Sequence, residues 1–175
     1  VGPKGSGKTH LANVWQLRAE AAAFGAPSLT RENVPAVASA GAVIIEDIET
    51  LSDEAALFHL LNLVREQRLQ VLLTTDTAPG DLRMALPDLR SRLKALPLAS
   101  IEAPDDALLR AVLVKLFADR QLSVEPHIVD YVLVRMERSM SAAQRFVSVA
   151  DRQGLVLQRR VTRAIAAAAL DSLGY

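Results

Sequence analysis

The chain contains no cysteine, which excludes a disulfide framework and any thiolate-ligated metal site. It also lacks an excess of either charge: 20 lysines and arginines stand against 20 aspartates and glutamates. A balanced chain has no overall attraction for duplex DNA, so any nucleic-acid contact has to come from a local patch. The densest such patch is Arg152, Arg159, Arg160 and Arg163, and arginines on short terminal helices read as a solvated face. Long apolar runs are missing too. The stretch Ala36 to Ile45 falls well short of the roughly 20 residues that span a bilayer, and acids follow it at once. No secretory leader precedes the first motif. The sequence therefore reads as a soluble, cytoplasmic globular protein with no membrane attachment. Half of its 175 residues are hydrophobic (50%), enough for one good core or two small ones.

What the sequence does contain begins at residue 2. Gly2-Pro3-Lys4-Gly5-Ser6-Gly7-Lys8-Thr9 fits the P-loop pattern G-x-x-x-x-G-K-[ST] at every fixed position. Glycines let the loop turn its backbone N–H groups inward around phosphate oxygens, and the helix that follows adds the positive end of its dipole. Lys8 is the point charge for the β- and γ-phosphates and Thr9 offers a hydroxyl to Mg²⁺, with His10 in the same turn. A loop that only turned the chain would need neither Lys8 nor Thr9. The spacing predicts a helix over Leu11 to Ala23 and a site for ATP or ADP with Mg²⁺. A P-loop follows a buried parallel strand, yet only Val1 precedes Gly2; the expectation is a first strand upstream of this sequence.

The run Ala42-Val43-Ile44-Ile45 is short and continuously apolar, as a strand buried on both faces should be, and Glu46-Asp47 ends it. Acids delivered by such a strand can serve a bound nucleotide, Glu46 joining Thr9 in the Mg²⁺ shell while Asp47 polarises the attacking water. Acids also favour helix starts, which explains Asp53 better than Glu46. Further strands are expected over Phe24 to Thr30, Leu69 to Thr75 and Leu96 to Ile101, with helices over Glu32 to Ala40 and Asp53 to Gln67. The strand ending in Thr74-Thr75-Asp76 places a polar cluster where it could touch phosphate. Leu89 to Leu93 is a compact basic element. Beyond Pro104 the pattern is helical only, with helices from Asp105, from Pro126 to about Met136, over Ser141 to Arg152 and over Thr162 to Leu173. The organisation is an α/β core over 1–103 followed by an all-α domain over 104–175.

This order of features resembles the AAA+ ATPases, and within them the ATPase module of the DnaA family and its regulatory, Hda-type branch. The resemblance covers essentially the whole sequence. Its distinctive stretches are Leu57-Phe58-His59-Leu60-Leu61-Asn62, Leu86-Pro87-Asp88-Leu89-Arg90-Ser91-Arg92-Leu93, Lys115 to Leu122 and Arg135-Met136-Glu137-Arg138-Ser139. It implies a three-layer P-loop core with a parallel sheet and a small helical lid. It also implies that Asp76 is the sensor-1 residue, and that Arg92 is an arginine finger acting on ATP held by a neighbouring subunit. The sensor-2 position falls at Ser141, with Arg138 and Arg145 one turn away on either side. Two departures stand out. The acid pair is Glu46-Asp47, reversed from the usual Asp-Glu, which implies slow or absent intrinsic hydrolysis, and Ser141 replaces an arginine, which implies a lid whose closure responds only weakly to the γ-phosphate.

The function implied is a regulator that binds ADP or ATP and promotes hydrolysis of DnaA-bound ATP, limiting replication initiation. Its implied partners are DnaA and the DNA polymerase sliding clamp, the latter through an N-terminal segment not present in this sequence. Nucleotide-dependent self-association is implied as well, without sequence-specific DNA binding. The residues alone leave other readings open. Leu89 to Leu93 could be the phosphate clamp of a self-contained P-loop enzyme such as a small-molecule kinase, and the chain could come from a DnaA-type initiator or helicase loader. Asp76 also fits an Asx turn before Pro79, and Arg92 a surface cation beside Asp88.

Overall fold

The computed structural model of the chain describes residues 1–157 and 160–175. Arg159, one member of the basic patch above, lies outside the described residues. The chain forms two compact units, Val1–Pro3 with Gly7–Ile101 and Lys4–Ser6 with Glu102–Tyr175.

The first unit is built on a parallel sheet of three strands, β1 (Ala22–Gly25), β2 (Ala42–Glu46) and β3 (Gln70–Leu73), in the spatial order β1-β2-β3. Register pairs Ala22 with Val43 and Val43 with Val71. The central strand is apolar on both faces because both are covered. Val43 and Ile45 face a core shared with α2 (Val34–Ala38), α3 (Glu54–Gln67) and α4 (Pro87–Ala95), where Leu57, Leu60 and Leu89 are fully buried. Ala42 and Ile44 face the opposite way, onto Ala12 and Trp15 of α1 (Lys8–Ala19). The result is the expected three-layer α/β arrangement, with each buried Ile or Leu contributing about 1.5–3 kcal/mol of transfer free energy.

Several elements depart from the sequence reading. Helix α1 stops at Ala19, where Glu20 turns left-handed at φ +51°, and Ala22–Gly25 pairs with β2 instead of extending the helix. Alanine's helix preference is a fraction of a kcal/mol per residue and yields to a ladder with a buried strand. The strand expected over Phe24 to Thr30 ends at Gly25. Ala26–Ser28 is a single 3₁₀ turn containing Pro27, which has no N–H to offer a ladder. Leu96 to Ile101 is not a strand. Leu96 N–H still closes the end of α4 on Leu93 O at 3.3 Å, and beyond it the segment bonds to Val1, Ala99 O accepting from Val1 N at 2.8 Å and Ile101 N–H donating to Val1 O at 2.7 Å; Pro97 removes a further donor.

The second unit contains α5 (Asp106–Asp119), α6 (Pro126–Leu133), α7 (Met140–Leu157) and α8 (Arg163–Ser172). They enclose a core of Leu109, Leu113, Phe117, Val132, Phe146, Ile165 and Leu170. Phe117 and Phe146 meet edge to face, centroids 6.2 Å apart at 87°, the arrangement that ring quadrupoles favour. Helix α6 ends before Met136, and α7 runs five residues past Arg152 through the buried Gly154, packing outweighing that residue's poor propensity. Among the described residues no helix is long and apolar enough to cross a membrane.

Candidate functional site

In the first unit the P-loop begins where Gly2 N–H donates to Thr75 O at 3.1 Å, beyond the end of β3. It ends at Gly7, the N-cap of α1, at φ +102°. That left-handed geometry suits glycine. The first bond of the helix is Leu11 N–H to Gly7 O, so the N–H groups of Lys8, Thr9 and His10 have no intrahelical partner. The Lys8 ammonium folds back onto loop carbonyls, donating to Gly2 O at 2.6 Å and Pro3 O at 3.2 Å. Thr9 Oγ1 donates to Glu46 Oε2 at 3.1 Å. The start of α1 and the end of β2 are thus joined through the two side chains read as magnesium ligands.

Asp47 is exposed and left-handed at φ +56°, an unusual conformation for a residue with a Cβ. Its N–H donates to Thr74 Oγ1 at 3.0 Å, which ties the acid turn to the segment after β3. Asp76 is half-buried; its N–H donates to Glu49 Oε1 at 3.3 Å, and its Oδ1 accepts from Thr77 Oγ1 at 2.9 Å. Glu49 is a residue the sequence reading passed over. Its other oxygen, Oε2, is buried without a hydrogen-bond partner; the available signal was a third acid two residues after Asp47. Arg92 lies elsewhere in this unit. Its guanidinium sits 5.2 Å above the Phe58 ring, at an open cleft of about 630 Å³ that Asp88 and Ser91 also line. It forms no ion pair with Asp88 and no hydrogen bond with Lys8, Thr9, Glu46 or Asp47 among the described residues.

The tip of the loop, Lys4–Ser6, groups with the second unit. Met140 N–H donates to Gly5 O at 2.8 Å. The Ser139 hydroxyl accepts from Ala142 N–H at 3.1 Å, capping α7, and shares a 3.2 Å hydrogen bond with Ser141 Oγ. A Cβ at Gly5 would lie 3.2 Å from Ser141 Oγ, so that hydroxyl stands beside the loop. The arginines flanking Ser141 are engaged within the unit. Arg138 pairs with Asp106 at 3.1 Å, and Arg145 reaches Glu137 at 3.7 Å and the Tyr175 hydroxyl at 3.1 Å. Ser6 Oγ is buried with no partner, while Pro3 and Lys4 are exposed.

No family model matches the chain. It is similar to the chromosomal replication initiator protein DnaA of Cutibacterium acnes, 26% identical over 102 residues, which is 56% of this chain and 20% of that protein. The chain thus spans about a fifth of the length of this curated relative. Among solved structures it superposes on domain III of Thermotoga maritima DnaA with a TM-score of 0.83 at 16% identity, covering 98% of this chain and 81% of that one. The AMPPCP-bound DnaA of Aquifex aeolicus gives 0.74 at 19% identity, covering 89% and 55%. The Thermotoga maritima Holliday junction branch migration motor RuvB gives 0.78 at 19%, covering 98% and 60%. At these identities the likeness establishes the fold: the parallel sheet with its helices is the fold of DnaA domain III and of RuvB.

Proposed function

We propose that this chain is the nucleotide-binding part of a DnaA-like AAA+ regulator that promotes hydrolysis of ATP held by DnaA and so limits replication initiation. The observation that carries the reading is the joined pair Thr9–Glu46 beside a Lys8 ammonium whose hydrogen bonds are to loop carbonyls, in a fold shared with DnaA. The residues fit a magnesium nucleotide. Lys8 and the free N–H groups at the start of α1 supply positive potential for phosphate oxygens, and the unpartnered Ser6 hydroxyl offers a further donor. Thr9 and Glu46 are hard oxygen ligands of the kind Mg²⁺ takes. Among the described residues no three acids or histidines converge, so the rest of the ion's shell belongs to water and phosphate, as is usual for Mg²⁺.

Within this proposal the nucleotide supplies the phosphoanhydride, and the protein's residues bind, orient and stabilise. Asp47 is the candidate to orient water and Asp76 the candidate sensor. Ser141 gives the lid a hydroxyl in place of a cation. Arg92, stacked on Phe58 rather than turned to the chain's own loop, is free to serve a neighbour's nucleotide. The sliding clamp is the second proposed partner, and nucleotide-dependent self-association belongs to the same scheme. A second reading has its own support: the curated relative is an initiator matched over only 20% of its length, as would be expected if this chain were one part of a DnaA-type initiator.

The deciding experiment measures phosphate release from ATP-loaded DnaA with clamp on DNA, with and without the full-length protein. Acceleration is expected, with a loss of about a hundredfold or more in the Arg92→Ala variant, given the rate contribution of arginine fingers, while that variant still binds ADP. No acceleration, together with origin-DNA binding by the protein itself, favours the initiator reading. Turnover of ATP by the protein alone, without effect on DnaA, favours an independent P-loop enzyme.

A further inference from the structure

Strand β2 does not simply stop at its acids; it bulges there. In a regular parallel ladder one residue bonds to two residues that stand two apart on the neighbouring strand. Thr74, the first residue beyond β3, bonds instead to two that stand three apart. Its N–H donates to Ile45 O at 3.0 Å, and its O accepts from Ile48 N–H at 3.0 Å. Asp47 is the extra residue of the bulge. It takes up left-handed backbone at φ +56°, which crowds its Cβ against the following carbonyl oxygen.

The bulge decides which side chain enters the core. Side chains alternate along a strand, and Val43 and Ile45 belong to the core shared with α2, α3 and α4. Without an extra residue Asp47 would follow them inward. Ile48 fills that place, 2% exposed in the same core. Asp47 is left exposed beside Glu46, its carboxylate without a hydrogen-bond or ion-pair partner among the described residues. The Asp47 N–H, displaced from the ladder carbonyl, donates to Thr74 Oγ1 at 3.0 Å. Both N–H groups that flank the Asp47 Cα are therefore held by Thr74, while Asp47 O accepts from the N–H and hydroxyl of Thr50 at 2.8 and 2.7 Å. The neighbouring Thr75 uses its hydroxyl locally, donating to Thr77 O at 3.0 Å and accepting from Thr77 N–H at 3.1 Å. Thr74 itself is buried, and an apolar side chain in its place would leave the Asp47 N–H without an acceptor.

We infer that Thr74 is a positioning residue: its hydroxyl, by holding the displaced N–H, fixes the left-handed turn that aims the Asp47 carboxylate, the group assigned above to orient the attacking water. The inference rests on the nucleotide reading of the loop and adds to it a residue that acts through Asp47 alone. The Thr74 hydroxyl, which the sequence reading offered to phosphate, accepts its hydrogen bond within the protein instead. Bulges beside reactive groups serve this purpose, re-aiming one side chain while the rest of the strand keeps its register.

The test compares the affinity of the full-length protein for MgADP with its affinity for MgADP plus aluminium fluoride, which stands for the phosphoryl group with the attacking water in line. Fluoride is expected to tighten binding by the wild-type protein, and Asp47→Asn to lose most of that gain. Thr74→Val, which keeps the shape and removes the hydroxyl, is expected to reduce the gain by up to about a hundredfold, the cost of misplacing a reacting group, with affinity for MgADP alone unchanged. Thr74→Ser, which restores the hydroxyl, is expected to restore the gain. In Asp47→Asn/Thr74→Val the loss should be no larger than in Asp47→Asn alone, because the two residues act as one unit. Losses that add, or a Thr74→Val protein that keeps the gain, would overturn the inference. So would wild-type MgADP binding that fluoride does not tighten, whereas failure of MgADP to bind at all would remove the nucleotide reading and this inference with it. If Thr74→Val does not fold, amide hydrogen exchange of the unliganded wild-type protein decides. Asp47 N–H is expected to be protected about tenfold or more relative to an exposed loop amide, and exchange at the loop rate would overturn the inference.

Discussion

At φ +76° Gly5 occupies left-handed backbone, and a Cβ placed on it would meet Ser139 Cβ at 2.3 Å and Ser139 Oγ at 2.9 Å. Conformation and space therefore both demand glycine, and they can be separated. Gly5→Ala is expected to cost about 1–2 kcal/mol from the backbone alone, with overpacking against Ser139 adding a similar amount. Removing the opposing Cβ with Ser139→Gly in the same chain should recover only the second part. Urea unfolding of the two single variants and the double variant measures this coupling, and strictly additive effects would show that the loop tip and Ser139 do not touch. The motif spacing made Gly2, Gly7, Lys8 and Thr9 legible in the sequence, because phosphate chemistry fixes residue types at fixed intervals, whereas Gly5 stands at one of the pattern's variable positions. The partner of Gly5 was not legible, since Ser139 lies more than a hundred residues away and nothing in its local pattern points to the loop. The same holds for Phe58 beneath Arg92 and for Glu49 against Asp76.

Among the elements, those whose signals are local were read well. Helix α3 begins as its acid suggested, Asp53 accepting from Ala56 N–H at 3.1 Å, and α5 begins in the same way with Asp105 accepting from Leu108 N–H at 2.7 Å. Strand β2 announced itself by four consecutive apolar residues, all of them buried. Elements defined by a neighbour were read poorly. Ala22 and Ala23 look helical by composition and join Phe24 and Gly25 in a strand only because β2 lies alongside, while Leu96 to Ile101 looks extended and apolar but pairs across the sheet with a single residue. Caps therefore offer the clean test at this scale. Asp53→Ala leaves the Ala56 N–H without its acceptor and is expected to lower stability by about 1 kcal/mol, with Asn in its place losing little. Equal midpoints for Ala and Asn in urea would mean that the carboxylate's hydrogen bond contributes nothing to α3.

Across the whole molecule, each unit has its own core, one around Leu57, Leu60 and Leu89 and the other around Leu113, Val132 and Phe146, while the stretch that fits the P-loop pattern contributes residues to both. A ligand that closes on this motif binds the folded chain and not the unfolded one, because Lys8, Thr9 and Glu46 are brought together only by the fold. Mass action then fixes the size of the effect. At an ADP concentration a hundred times its dissociation constant, stabilisation is about 2.7 kcal/mol, which for a chain of this size corresponds to a rise in Tm of about 5–10 °C. Lys8→Ala is expected to abolish the rise while leaving the ligand-free Tm within a few degrees, since the ammonium's partners are loop carbonyls rather than core atoms. Arg92→Ala should retain the full rise, because its guanidinium rests on Phe58 and not on the loop. A Tm unmoved across millimolar ADP with Mg²⁺ would remove the nucleotide from the account. A rise that persists in Lys8→Ala would mean that the ligand binds somewhere other than the loop.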